Sequence, residues 1–188
     1  MNWPPPVTLT NAAASLVPLS QDHAPALARA AAELGQLWYT SIPTPDGMAT
    51  EIARRLSLPD MQPFTVLCAS GTPVGMTTYM NTDAANRRVE IGSTWLAPQV
   101  QRSKVNTACK LMLLTHAFET LDCIAVEFRT HRMNRQSRAA IERLGAQLDG
   151  ILRAHMVMPN GTLRDTAVYS ITRADWPTSR AHLTARLA

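Results

Sequence analysis

Apolar and polar positions in the middle of the chain predict a strand, a loop and a helix in immediate succession. β-branched and aromatic residues from Val89 to Leu96 are typical of a strand, which Pro98 ends because proline cannot donate to a sheet ladder. A polar, basic loop follows from Gln99 to Lys104. From Val105 onward, apolar positions recur with helical spacing, at Ala108, Leu111, Met112, Thr115 and Phe118.

A basic loop that opens a helix after a strand is a physically sensible anion site. The first amides of a helix have no partner within the helix, and the helix dipole favours negative charge at that end. We therefore expect residues 102–107 to hold a ligand that carries phosphate.

The remaining pattern predicts elements on both sides of this unit. Before it we expect a strand within Val7–Leu19, helices over Ala26–Leu37 and Thr50–Leu58, and strands over Phe64–Ala69 and Val74–Met80. After it we expect a strand over Ile124–Thr130, a helix from an Asn134 cap to Leu144, strands over Gln147–Met158 and Asp165–Ile171, and a helix over Asp175–Leu187.

One helix separates the strands over residues 89–96 and 124–130, a spacing that implies a parallel pair. The predicted order is βααβββαβαββ with a C-terminal helix. This is an α/β fold (an α+β mixed sheet) with helices on both faces. No shift in composition marks a second domain, so we expect a single domain over residues 1–188 with its core at about 7–171.

Composition narrows the class of protein only in part. The net charge of +4 comes from arginine, since lysine occurs only at Lys104 and Lys110. Basic charge fits nucleic acid, a phosphate-rich cofactor or an acidic partner equally, but aromatic residues are scarce, so composition does not select nucleic acid. From the pattern we expect neither a membrane span nor a secretory signal. Three cysteines without metal spacing predict buried thiols in the cytoplasm and no metal site.

Four motifs of the chain match the pattern of one known family. EIGSTWL at Glu90–Leu96 is similar to the central strand of that family, commonly E-I-G-Y-W-L. QRSKVNT at Gln101–Thr107 occupies the place of its pyrophosphate loop, Q/R-x-x-G-x-G/A. Asn134–Ser137 matches N-x-x-S at the start of the next helix, and ERLGA at Glu142–Ala146 matches its usual end, E-K-L-G-F. Through these motifs the chain resembles the GNAT superfamily of acetyl-CoA-dependent N-acetyltransferases, and within it the branch of ribosomal-protein alanine N-acetyltransferases.

The resemblance implies acetyl-CoA as co-substrate, held between two splayed parallel strands. Pantetheine would pair with backbone groups of Ser93, Thr94, Trp95 and Leu96. The pyrophosphate would lie on Arg102, Ser103, Lys104, Val105, Asn106 and Thr107, with a further contact from Asn134.

One departure from the family pattern concerns the pyrophosphate loop. With Arg102 at the Q/R position, Val105 and Thr107 stand where glycines are expected. Glycine allows the backbone to approach a phosphate closely, so here the loop would depend on helix-start amides and on the charges of Arg102 and Lys104. The alternative for those two side chains is ordinary solvated charge.

The resemblance also implies catalytic roles for Glu90 and Ser137. Glu90 is the expected general base, and strand alternation predicts that it shares a face with Gly92, Thr94 and Leu96. The alternative is a salt bridge from Glu90 to Arg87, Arg88 or a neighbouring strand. Ser137 is the expected proton donor to the leaving thiolate, since many relatives use a tyrosine in this helix and no tyrosine lies between residues 79 and 169; it could equally be a small packing residue.

The acceptor is the least defined part of the prediction. Candidate acceptor-binding residues are Trp38, Arg153, His155 and Asp165, although the last three could form a solvated hairpin face. We expect an enzyme that transfers an acetyl group directly to a primary amine, either a protein N-terminus or a small molecule. Two alternatives stay open, namely a non-catalytic acyl-CoA-binding module and a ribosome- or RNA-binding protein of the same fold. A homodimer is expected from family habit.

Overall fold

The computed structural model describes residues 3–35, 37–40 and 42–188. Within them one eight-stranded sheet has the order β1-β2-β3-β4-β5-β6-β8-β7. The strands are β1 (Leu9–Thr10), β2 (Ala14–Pro18), β3 (Gln62–Cys68), β4 (Pro73–Asp83), β5 (Arg88–Leu96), β6 (Ala125–His131), β7 (Gln147–Val157) and β8 (Leu163–Thr172). The helices are α1 (Ala24–Ala31), α2 (Met48–Ser57), α3 (Lys104–Thr115), α4 (Arg135–Glu142) and α5 (Trp176–Ala185).

The predicted mixed sheet with helices on both faces is confirmed. β5 and β6 form the predicted parallel pair, and the other neighbouring strands run antiparallel. The final hairpin is also confirmed, with β8 between β6 and the edge strand β7.

Two predicted elements near the N-terminus differ from the structure. The single strand expected within Val7–Leu19 is a hairpin, because the side-chain oxygen of Asn11 accepts hydrogen bonds from the amides of Ala13 (2.9 Å) and Ala14 (3.0 Å) and turns the chain. The helix expected over Ala26–Leu37 is the shorter α1, which ends at Ala31; Gln36 lies outside the described residues.

The two helical layers lie on defined faces of the central strands. Tyr79 of β4 donates its hydroxyl to the carbonyl of Leu113 at 2.5 Å, so α3 covers the face that carries Tyr79. Successive strand residues alternate between faces. Met80, and Glu90 opposite it on β5, therefore face the other layer, where α2 places Arg55 against Thr78.

Both layers bury apolar side chains against the sheet, and none of the described helices is long and apolar enough to cross a membrane. The largest buried apolar residues of the layers and strands include Leu16, Leu27, Ile52, Phe64 and Leu113. This packing holds β4, β5 and β6 as a fixed platform for the side chains described next.

Candidate active site

The parallel strands β5 and β6 are paired over only three positions. The ladder joins Arg88 to Ala125, Val89 to Val126 and Glu90 to Glu127. β5 nevertheless continues to Leu96 alongside β4, and β6 continues to His131 alongside β8. The two strands thus diverge beyond Glu90, and their facing edges have no strand partner within the described residues.

Glu90 lies at the point where the strands separate. Its side chain is buried, with 5% of the residue exposed. It accepts a hydrogen bond from the Asn81 amide at 2.7 Å, and Arg129 Nε lies 3.5 Å from the same oxygen, Oε2. Burial raises the pKa of Glu90, and this effect outweighs the opposing influence of Asn81 and Arg129. A carboxyl group with a raised pKa is a better proton acceptor once it is ionised.

The alternative prediction is that Glu90 is a structural residue held by a salt bridge. Arg129 provides such a salt bridge. The two arginines that the prediction proposed as partners pair with other residues, Arg87 with Asp122 and Arg88 with Glu127. Glu90 also borders a cavity of about 450 Å³ lined by Asn81, Glu127 and Arg129 among other residues. Its carboxylate is therefore buried yet within reach of a ligand in that cavity.

Gly92 leaves room for the side chains of Met80 and Glu90. A Cβ atom at this position would lie 2.7 Å from Met80 Sδ and 3.0 Å from Glu90 Oε1. Those distances are closer than van der Waals contact, so a larger residue would require both flexible side chains to shift. The glycine of the EIGSTWL motif thus gives the carboxylate room beside Met80.

A bulge at Ser93 corrects the predicted face of Thr94. Ser93 has φ +48°, and the pairing with β4 shifts register here, because Thr78 pairs with Gly92 while Met76 pairs with Trp95. The extra residue reverses the alternation. The prediction that Thr94 and Leu96 share a face with Glu90 is therefore wrong. Thr94 points towards α3 on the opposite face, and Leu96, two residues further along, lies on the same face as Thr94.

Some backbone groups that were expected to pair with pantetheine already have partners. The guanidinium of Arg55 donates to the Ser93 carbonyl at 3.3 Å, and the side-chain amide of Gln101 donates to the Leu96 carbonyl at 2.8 Å. The Trp95 side chain is buried, and its Nε1 has no hydrogen-bond partner among the described residues. The remaining groups on the β6-facing edge stay available.

In the loop before α3, the positive φ that favours glycine occurs at Arg102 and not at the positions where glycines were expected. Arg102 has φ +61°, the left-handed region that favours glycine, whereas Val105 and Thr107 lie inside α3. The residue that adopts a glycine-like conformation is thus Arg102, whereas the helical backbone at residues 105 and 107 requires no positive φ. Ser103 caps the helix by accepting from the Val105 amide at 3.2 Å. The amides of Ser103, Lys104 and Asn106 are the remaining open donors of the first turn.

Lys104 is exposed, but its ammonium group has hydrogen-bond partners within the chain. Its ammonium group donates to the carbonyl oxygens of Leu187 and Ala188, each at 2.7 Å. It joins residues 187–188 to the start of α3, whereas the side chain of Arg102, which is also exposed, forms no such contact among the described residues. Arg102 is accordingly the side chain best placed to add charge at these amides.

Lys110 of α3 is a buried cation that the sequence prediction missed. Its ammonium group donates to the hydroxyls of Thr94 (2.8 Å) and Thr77 (3.2 Å). Burial lowers its pKa to about 8.

The sequence prediction also missed Arg55, although it lies on the buried stripe of α2 together with Met48 and Ile52. An arginine on an apolar stripe is the signal that could have identified it.

The start of α4 has the predicted cap. The side-chain oxygen of Asn134 accepts from the Ser137 amide at 3.0 Å, so Asn134 has a sufficient structural role and keeps its side-chain NH₂ as a donor. Ser137 is half-buried on the side of the helix that carries Ile141.

The predicted acceptor residues gather at the far end of β6. The Trp38 ring lies 5.3 Å from the His131 ring. His155 Nδ1 is 3.1 Å from the Thr166 hydroxyl, and Arg153 forms an ion pair with Asp165 at 2.9 Å. Arg153 and Asp165 are therefore paired with each other in the hairpin, and their role in acceptor binding stays a prediction. In the described ranges no group of three or more His, Cys, Asp or Glu side chains could hold a metal ion.

Comparison with known proteins identifies the family. A family model described as an acetyltransferase (GNAT) domain matches residues 15–147. Over 110 residues the chain is 34% identical to YdaF of Bacillus subtilis (strain 168), which is named as a ribosomal N-acetyltransferase. That match covers 58% of this chain and 59% of that protein, so the chain spans about three-fifths of this relative.

Solved structures agree along nearly the whole chain. A GCN5-related N-acetyltransferase from Brucella melitensis superposes with a TM-score of 0.89 and 29% identity, over 98% of this chain and 87% of that one. A protein named as an acetyltransferase from T. thermophilus gives a TM-score of 0.86 and 29% identity, over 99% of this chain and 100% of that one. Sequence and fold together show that this chain belongs to the GNAT superfamily of acetyltransferases.

Proposed function

We propose that the protein transfers an acetyl group from acetyl-CoA to a primary amine, by direct transfer while both substrates are bound. The observation that carries this proposal is the divergence of β5 and β6 immediately beyond Glu90. It leaves an unpaired strand edge between a buried carboxylate and the N-terminus of α3. The acceptor amine would be a protein N-terminus or a small molecule, and the name of the Bacillus relative favours the former.

The residues present fit an acyl-CoA. The free edge of β5 offers backbone groups to the amides of pantetheine, and the open amides of Ser103, Lys104 and Asn106 suit a pyrophosphate. Exposed Arg102 adds positive charge beside those amides. Bound acetyl-CoA would supply the acetyl thioester that reacts with the amine.

Glu90 and Ser137 would move the protons of the reaction. An ammonium ion must lose a proton before its nitrogen can attack, and the carboxylate of Glu90 accepts it, directly or through a water molecule. The hydroxyl of Ser137 donates a proton to the departing sulfur. Because burial raises the pKa of Glu90, its basicity is closer to that of the group it must deprotonate.

A second candidate function is acyl-CoA binding without catalysis. The observation that favours it is the start of α3, where Lys104 is engaged by the C-terminal carbonyls instead of facing a ligand. In that case the protein would bind acetyl-CoA and turn over no amine.

Two measurements separate these functions. Calorimetric titration with acetyl-CoA comes first, followed by thiol release in the presence of tri-alanine, tri-alanine amide, n-butylamine and putrescine. Binding with turnover of at least one amine supports the transferase. Binding without turnover favours the second candidate, and no binding of acetyl-CoA contradicts both.

We also propose that the protein acts as a homodimer in the cytoplasm. β7 is an edge strand, and exposed apolar side chains line its hairpin with β8, at Leu148, Met156, Val157 and Leu163. Such a surface suits a second copy of the chain. Light scattering after gel filtration would give twice the monomer mass of 20.6 kDa if this is correct. The cytoplasm is suggested by Cys109 and Cys123, which are buried as free thiols.

A further inference from the structure

His131 is a buried histidine at the end of β6, on the same face of the sheet as Glu90. Only 4% of the residue is exposed. Glu90 pairs with Glu127, and His131 lies four residues further along the same strand, so its side chain points to the same side. At about 3.3 Å per residue, it stands roughly 13 Å along the strand from Glu127.

The tautomer of His131 follows from its backbone contact. The Met133 amide donates to His131 Nδ1 at 3.1 Å, so Nδ1 is the acceptor and the proton of the neutral ring is on Nε2. Nε2 is buried and has no hydrogen-bond partner among the described residues. A buried donor without a partner is rare in folded proteins because it is destabilising, and it indicates an acceptor that arrives with a ligand.

Aromatic rings surround this donor without satisfying it. The rings of Trp38 and Tyr39 lie 5.3 Å and 5.9 Å from the imidazole. Contacts of N–H groups with aromatic faces are weak compared with a hydrogen bond to oxygen. Burial, followed by the nearby charge of Arg164, lowers the pKa of His131, so the ring stays neutral and keeps its Nε2 proton.

Arg164 is a second donor at the same place. It is half-buried, and its Nε donates to the hydroxyl of Thr166 at 3.0 Å. Thr166 is the residue that pairs with His131 across β6 and β8. No carboxylate lies within ion-pair distance of Arg164 among the described residues.

The neighbouring arginines contrast with Arg164, because each has a carboxylate partner. Arg129 pairs with Glu127 at 2.8 Å. Arg132 pairs with Asp165 at 3.2 Å, and Arg153 pairs with the same residue at 2.9 Å. In the described part of the chain, Arg164 thus has no carboxylate partner at ion-pair distance, and its charge is close enough to His131 to lower the pKa of that residue.

We propose that His131 Nε2 and Arg164 bind an oxygen of the acceptor substrate, either a carbonyl or a carboxylate, while its amine lies at Glu90. This inference rests on the proposed function and specifies its substrate class. The acceptor is an amine that also carries such an oxygen, as peptides do. Polyamines are disfavoured, because a second cation would meet Arg164 and would leave the Nε2 proton unsatisfied.

Two substitutions at His131 separate its two nitrogens. His131→Asn keeps an acceptor near the position of Nδ1 for the Met133 amide and removes the distal donor. His131→Gln restores a donor near the position of Nε2. We expect His131→Asn to raise KM for tri-alanine amide about tenfold with kcat and the Kd for acetyl-CoA near wild type, and His131→Gln to recover part of that loss. Arg164→Gln should raise KM more for tri-alanine, which has a carboxylate, than for its amide.

The controls test whether the effect is specific to the acceptor oxygen. n-Butylamine has no oxygen, so its KM should be the same in wild type and His131→Asn. Arg186→Gln removes a charge from an exposed position on the C-terminal segment and should leave the KM values for n-butylamine and tri-alanine amide unchanged. Equal losses for butylamine and tri-alanine amide, unchanged KM values, or a wild-type preference for putrescine would overturn the inference.

A binding measurement keeps this inference separate from the proposed function. In ¹⁵N-histidine-labelled protein saturated with CoA, tri-alanine amide should shift the Nε2 resonance of His131 and leave its tautomer unchanged. If turnover is observed but this resonance does not respond, the inference fails and the transferase stands. If the resonance responds but no amine is acetylated, the binding site stands and the proposed catalytic function fails.

Discussion

The bulge of β5 is held from its two faces by buried cations of different kinds. From α2, Arg55 donates to the Ser93 carbonyl and is neutralised by Glu51 at 2.7 Å. From α3, Lys110 donates to the hydroxyls of Thr94 and Thr77, and no carboxylate accompanies it among the described residues. The two faces thus position the same bulge with a balanced charge on one side and an unbalanced charge on the other.

The difference shows how burial acts on a cation with and without a counter-ion. Burial raises the pKa of Glu51, but hydrogen bonds from Arg54 and Arg55 outweigh it and hold that pKa below 4.5. Charge on both partners therefore persists inside the protein. Among the described residues Lys110 donates only to hydroxyls, and burial lowers its pKa to about 8. The Arg55–Glu51 pair therefore keeps both charges at ordinary pH, whereas Lys110 titrates in the weakly alkaline range.

Arg55→Met tests the balanced side and should have the largest effect. It leaves Glu51 half-buried without its inner partner and removes the donor to Ser93, so we expect the free energy of unfolding to fall by about 4 kcal/mol. Affinity for acetyl-CoA should fall with it, because the bulge lies on the free edge of β5. Arg54→Met is the matched control, since the Arg54 side chain pairs with the same Glu51 but is 53% exposed. Its effect should stay below about 0.5 kcal/mol.

Glu51→Gln removes the counter-ion of Arg55, so that the bulge is held on both faces by a buried cation without a charged partner. We expect a loss of about 2 kcal/mol in urea unfolding, since the hydrogen bonds to a charged acceptor are weakened while the guanidinium stays buried. The exposed carboxylate of Glu33 provides the control, because Glu33→Gln should leave stability unchanged. A Glu51→Gln protein as stable as wild type would mean that Arg55 needs no counter-ion.

Lys110→Met tests the unbalanced side and should have the smallest effect, in the opposite direction. The Thr77 and Thr94 hydroxyls lie 2.8 Å apart and can still bond to each other. We expect the variant to be more stable than wild type by about 1 kcal/mol at pH 7.5, because the desolvated ammonium is removed. A marked loss of stability at that pH would contradict the claim that the buried ammonium of Lys110 destabilises the folded protein.

The pH dependence of this variant follows from the lowered pKa of Lys110. Between the folded value of about 8 and the ordinary value of 10.5, the unfolded chain binds more protons at this lysine than the folded protein. Its contribution to wild-type stability therefore rises with pH through that window. The advantage of Lys110→Met should shrink when unfolding is measured at pH 10 instead of pH 7.5.

Much of the fold could be predicted from residue patterns, because its elements are regular. The strand Val89–Leu96, its Pro98 stop and the helical stripe that follows need only local rules. The bulge at Ser93 could not be found this way, since a serine with positive φ has no sequence signature, and Thr94 was consequently assigned to the wrong face. The first strand was also misjudged, because its turn depends on the single side chain of Asn11.

The residues of the site likewise fall into those that local sequence predicts and those that it does not. Glu90 and Asn134 stand in motifs that can be recognised in the sequence. The roles of Lys104, Arg164 and His131 depend on partners far along the chain, such as the contact between Lys104 and Leu187. Arg164 and His131 are informative because they lack partners among the residues that the structure describes, and only the folded arrangement reveals that.

The most direct test of the account is the turnover of Glu90→Gln across pH. Burial raises the pKa of Glu90 above 4.5, and the base acts only when ionised, so wild-type kcat/KM should rise through a pKa above that ordinary value as pH increases. Glu90→Gln should lose that rise and reduce kcat about 100-fold, while the calorimetric Kd for acetyl-CoA stays near wild type. A variant that keeps wild-type turnover and the same pH profile would contradict the assignment of Glu90 as the base where β5 and β6 diverge.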